Sequence, residues 1–213
     1  MVALTGRVPS SYQKVSGSDE QFNLSREGGL LVAQLGSPYE YYTRLGRRFA
    51  ASANAHAGVV PVAAVPTTLG GWVLYNPRDN DRDFVVDAVG VWSVSGTLGL
   101  GMALLVAVSL GDQTTLPADS AGVFKTALDG GPYDSKAIIQ ASHTMTGGTP
   151  AWAVARTRDQ VSAVSVGSGL RSGSDFPGTR VVKPGRECAI HVLAPLGTDA
   201  MFSGAFEWHE VDI

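Results

Sequence analysis

The chain has 213 residues, a formal net charge of −3 and only 16% charged residues, against roughly 25% in a typical soluble domain. A chain of this length can bury a core without disulfides or metals, and its single cysteine, Cys188, excludes an intrachain disulfide scaffold. The slight acidic balance offers no handle for a phosphate backbone, so no nucleic-acid partner is expected.

Residues Met1 to Gly29 are polar and without period, and are expected to form an N-terminal arm ordered by a partner or left mobile. No apolar signal-peptide core occurs there, so synthesis in a cytoplasm is expected. Leu30 to Leu35 is the first strand candidate. Ser37-Pro38 then reads as a helix start, and Tyr41, Tyr42, Leu45 and Phe49 recur at spacings of three and four. This predicts one short helix over 38–53.

After His56 the period changes. Val59 to Val65 and Gly71 to Tyr75 read as strands, and Asn76-Pro77 opens a polar loop. From Phe84 to Ser95 apolar residues fall on both alternating sets, which predicts a strand buried on both faces. Met102 to Ser109 continues as another strand. The apolar run Leu98 to Leu110 is shorter than the ~20 residues needed to span a bilayer, so no membrane partner is expected.

Gly111 to Ser135 reads as a long irregular excursion. Strands are expected again at Lys136 to Ser142, Ala151 to Thr157 and Val161 to Val166, followed by a glycine-rich loop, Gly167 to Gly178. At the C-terminus, Cys188, Ile190 and Val192 share one face, with Glu187, Ala189 and His191 on the other. After Pro195 to Asp199, Phe202, Phe206 and Trp208 are expected to face inward, and Glu207 and His209 outward. The two segments read as a hairpin. Loss of Trp208 should then be severe, and loss of Glu207 or His209 should leave the fold intact. Many short strands with one short helix predict an all-β, jelly-roll-like sandwich: an arm over 1–29 and one domain over 30–213.

Chemistry-bearing patterns are sparse. The chain has no Gly-x-Ser-x-Gly elbow, no Walker-type phosphate loop and no Cys-x-x-Cys, so no enzyme and no cofactor are expected. Asp79, Asn80, Asp81 and Asp83 resemble a calcium loop only in their alternation, with Arg78 and Arg82 interleaved. Glu187, His191, Glu207 and His209 could meet on the outward face of a C-terminal hairpin as an acid–base or metal pair, though such residues are ordinary on any half-exposed hairpin. Tyr39, Tyr41, Tyr42, Arg44, Arg47 and Arg48 mix aromatic and basic side chains. They either pack the helix onto the sandwich or form an interface, where Tyr and Arg are enriched. With His209 they make the candidate interface set. Trp152 and Tyr133 are the candidates for stacking on sugar rings.

The segments Gly71 to Pro77, Phe84 to Ser95, Val182-Lys183-Pro184-Gly185 and Phe206 to Val211 together resemble jelly-roll structural proteins of tailed-phage virions, among them head cement or decoration proteins and related trimeric spike-like proteins. The resemblance covers the last two thirds of the chain and lies in strands and turns, not in a catalytic fingerprint. It implies a virion location, a homotrimer, and a major capsid protein or neighbouring virion protein as partner. The alternative it leaves open is a carbohydrate- or receptor-binding module at a virion tip.

Overall fold

In the computed structural model, which describes residues 38–53, 58–97, 102–158, 171–176, 179–194 and 198–213, the alternating segments form two antiparallel sheets. All these residues belong to one unit, Pro38–Ile213. The expected arm, the Leu30 to Leu35 strand and the Val161 to Val166 strand lie outside the described residues.

A short helix, α1 (Pro38–Arg44), precedes the strands. The first sheet runs in the order β5 (Val123–Ala127), β1 (Arg48–Ala53), β11 (Thr198–Asp212), β3 (Arg82–Thr97) and β8 (Arg171–Asp175), and β9 (Val181–Val182) also pairs with β3. The second runs β6 (Ile138–Thr144), β2 (Leu69–Tyr75), β10 (Glu187–Leu193), β4 (Met102–Val108) and β7 (Ala153–Arg158). Set aside β5, β6 and β9, and the orders β1-β11-β3-β8 and β2-β10-β4-β7 remain. That is the eight-strand jelly roll, in which the chain passes back and forth between two sheets. Strands β5 and β6 belong to the long connection between β4 and β7; each adds an edge strand, to β1 and to β2.

Between the sheets lie Phe49, Trp72, Leu74, Phe84, Leu104, Ile190, Phe206 and Trp208, all buried in one cluster. Cys188 is a buried core residue, and its thiol is pushed up to about 12 by desolvation, which leaves it unreactive. Two of the segments that carry the resemblance meet at one corner. Asn76 N–H donates to Arg186 O (2.9 Å), Gly185 N–H donates to Asn76 O (2.8 Å), and Asn76 Nδ2 donates to Arg82 O (2.8 Å) and Val182 O (2.9 Å). The buried asparagine thus ties the end of β2 to the start of β3 and to the turn before β10.

Several expectations are corrected. The helix ends at Arg44, because Gly46 takes φ +67° and turns the chain. Arg48–Ala53 is strand β1, with Phe49, Ala51 and Ala53 buried in alternation. Phe49 falls at a helical spacing from Tyr42 and Leu45, yet it packs as a strand residue. Val59 and Val62 form only isolated bridges, to Phe202 in the first sheet and Leu193 in the second, so this segment crosses from sheet to sheet. The expected glycine-rich loop contains β8, and the expected irregular excursion contains β5. The C-terminal segments are not a hairpin: β10 pairs with β2 and β4, whereas β11 pairs with β1 and β3.

Strand β3 changes phase partway. Phe84 and Val86 point into the core, and then Val89 and Val91 do. The register shows why: Trp208 pairs with Val86 and Glu207 with Ala88, leaving Asp87 as an extra, bulged residue. A bulge bends the strand and re-aims a side chain.

Candidate functional site

The bulge turns Asp87 onto the outer face of the first sheet, where its side chain is almost fully enclosed. His209 Nδ1 donates to one carboxylate oxygen at 2.8 Å, and Arg48 Nε donates to the other at 3.2 Å. Arg48 also donates to Glu207 at 2.9 Å. This follows from register, since Arg48 sits opposite His209, and Ala50 opposite Glu207, in the β1–β11 pair. Above them, Tyr42 of α1 stacks on the His209 ring, with centroids 4.0 Å apart and planes at 26°. The result is a polar knot in which each charge has a partner, capped by one aromatic ring.

Of the seven candidate interface residues, the structure brings together Tyr42, Arg48 and His209. His209 was expected to face outward freely; it is instead buried beneath Tyr42. Arg44 pairs with Glu40 along the helix, and Arg47 pairs with Asp212 at 2.7 Å. Tyr41 is exposed and meets Tyr42 edge-on. The side chain of Tyr39 lies outside the described residues. Asp87 was missed from the sequence, and the signal for it was a lone acid inside the apolar run Phe84 to Val94.

A second buried pair lies on the outer face of the second sheet. Strand β2 bends at Gly70-Gly71, where a Cβ on Gly70 would stand 2.6 Å from Val73 Cγ1 and 3.1 Å from Ala189 Cβ. The bent end of β2 carries β6 with it, through Met145 N–H donating to Thr68 O at 2.9 Å. Met145, Val73 and Ala189 then form a small apolar cluster with Trp152 against it. Glu187 is enclosed on this face at 0% exposure, with neither carboxyl oxygen hydrogen-bonded. His143 stands beside it, Nε2 to Oε2 at 3.5 Å. Burial pushes the Glu187 carboxyl up to about 8 and pulls His143 below its ordinary value, so each favours its neutral form near neutrality and the contact is not a formed ion pair. His191 is also fully buried, and burial holds it below its ordinary value.

Glu187 and His191 therefore never meet Glu207 and His209, because they lie in different sheets. The expected acid–base or metal pair of a C-terminal hairpin does not form. The Asp79–Asp83 loop is used structurally: Asn80 Nδ2 donates to Asn76 Oδ1 at 2.7 Å, and Asp79 faces Lys136 at 3.5 Å. Among the described residues, no group of three or more His, Cys, Asp or Glu is arranged to hold a metal. Tyr133 packs edge-on against Phe49 at 5.5 Å, and burial raises its hydroxyl well above the usual range. Trp152 packs against the Val73–Met145–Ala189 cluster. Both rings named for sugar stacking are engaged inside the protein.

The class defined by this geometry is an all-β jelly-roll sandwich whose outer-face charges are tied to each other. Comparison of the chain with protein-family models, curated proteins and solved structures gives no match.

Proposed function

We propose that the chain is a structural protein of a tailed-phage virion, one that assembles with copies of itself and binds the capsid surface or a vertex. The observation that carries this reading is a set of large apolar side chains left exposed on strands at the margins of the two sheets, beside the charges those strands also carry. Phe124 on edge strand β5 is 66% exposed, Val154 on edge strand β7 is 58% exposed, and Val181 on β9 is exposed as well. Solvent-facing edge strands are normally blunted with charge, because an apolar edge invites pairing with another chain. A low charge content supports the same reading, since surface covered by a neighbour does not need charge. The work is then done by buried area, upwards of roughly 1,000 Å² for a stable contact. The homotrimer and the capsid partner come from the resemblance in strand and turn pattern.

Light scattering on the purified chain at micromolar concentration tests the assembly step. The expected result is a single species of about three times the 22.2 kDa chain mass. A strict monomer contradicts it. In the same experiment, Phe124→Asp should shift the distribution toward monomer while leaving the circular dichroism spectrum unchanged.

A further inference from the structure

We infer that Glu187 and His143 form a proton-operated catch, which lets this end of β2 and β6 stay closed over the outer face of the second sheet only while the pair carries one proton between them.

The placement of the two groups makes the catch. Glu187 opens β10, in the centre of the sheet. His143 belongs to β6, the edge strand, and pairs with Gly70 of β2, which lies against Val73 and Ala189, so that this end of the β2–β6 pair stands over the face. The contact joins an element held on both sides to one held on one side. With one proton the pair is neutral overall, wherever the proton resides. Without it, the enclosed pair carries an unbalanced negative charge; with a second proton, an unbalanced positive one. Either change favours lifting the β2–β6 end so that water can reach the charge.

Among the described residues no other charge relieves that penalty. Tyr75 lies opposite Glu187 in the β2–β10 register and is itself a weak acid that burial raises. Arg78 and Asp112 sit together beside Tyr75, and Arg78 donates to Gln113 O at 2.6 Å. Cys188, the neighbour along β10, points into the core. Strand β4 contributes no ionisable side chain, and the residue following it, Ser109, accepts from the Glu187 N–H at 3.1 Å.

The sign of the effect follows from the two states. When the end lifts, Glu187 returns to an ordinary carboxylate and His143 to an ordinary imidazole. Below about 6.5 the two transitions oppose one another; between about 6.5 and 8 only Glu187 is ionised on opening and neutral when closed. Opening should therefore become tenfold easier per pH unit across that window, and level off above it.

Amide hydrogen exchange on the full chain from pH 5.5 to 9.5, corrected for intrinsic rates, reads this directly. The Met145 amide, bonded to Thr68 O, should lose roughly thirtyfold of its protection between about pH 6.5 and 8, while β11 amides keep theirs. In Glu187→Gln the Met145 profile should be flat between about pH 6.5 and 8. A flat profile in the unmodified protein overturns the inference, and so does an unchanged profile in Glu187→Gln. Should that variant not fold, a carbon-13 titration of the Glu187 carboxyl in the unmodified protein decides: a midpoint near 8 supports the catch, and ionisation below pH 6 overturns it.

Discussion

The outer faces of the two sheets each bury one carboxylate beside one histidine, and they do so in opposite ways. On the first sheet, Asp87 has two donors at hydrogen-bonding distance and a third group, Glu207, shares the arginine. On the second, Glu187 is fully enclosed with no hydrogen bond, and its histidine stands at 3.5 Å. The difference lies in the cation. Register delivers Arg48 to Asp87 as a hydrogen-bond donor; among the described residues no permanent cation is delivered to Glu187, and burial favours its neutral form. Position in the sheet does not decide the state of a buried acid. The donors within reach decide it.

The comparison can be broken most heavily at Asp87. Asp87→Ala leaves Arg48 and His209 without their buried acceptor, and should cost about 3–5 kcal/mol in chemical denaturation. Trp208→Ala removes an aromatic ring packed between Phe49 and Phe84 in the shared core. It should cost a similar amount, about 3–5 kcal/mol, and damage both faces alike. Glu187→Gln sharpens the contrast, because it should cost under about 1 kcal/mol near pH 6, where the wild-type carboxyl is already neutral.

The pH dependence of that last pair has a definite sign. The folded carboxyl titrates at about 8 and the unfolded one at its ordinary value near 4.5. Its contribution is complete below the unfolded value and is lost as pH rises toward 8. The lowered His143 works the other way, losing stability as pH falls below about 6.5. Wild-type stability should therefore fall from about pH 6.5 to 8 by up to about 1.4 kcal/mol per unit, and Glu187→Gln should abolish that slope. Smaller effects belong to the rim of the first face. Tyr42→Ala should cost about 1 kcal/mol by uncovering His209. Glu207→Ala, whose side chain is about half exposed, should cost under ~1 kcal/mol.

Much of the fold was legible in the sequence, because alternation is local. Cys188, Ile190 and Val192 share the inward face that their spacing indicated, and Phe202, Phe206 and Trp208 fill the interior as expected. Alternation names a strand's faces but not its neighbours, which is why β10 and β11 read as a hairpin when a jelly-roll crossing sends them to different sheets. The bulge at Asp87 was hidden for the same reason, since an extra residue is defined only against the partner strand. His209 was counted outward correctly, yet the turn at Gly46 brings Tyr42 over it, and no period within β11 contains that information. Glu187 carried a faint signal, a charge at the head of an apolar strand. Its enclosure depends on a bend in β2 far away in the sequence.

The coupling free energy across Asp87 and His209 tests the contrast most directly. It is read from the stabilities of Asp87→Asn, His209→Gln and the double variant at pH 6.5, beside the same cycle for Glu187→Gln and His143→Gln. A formed, charge-assisted bond on the first face predicts a coupling of about 1.5–3 kcal/mol there, and one of under about 1 kcal/mol for the unbonded pair on the second. Equal couplings on the two faces, or a coupling near zero at Asp87–His209, would contradict the account.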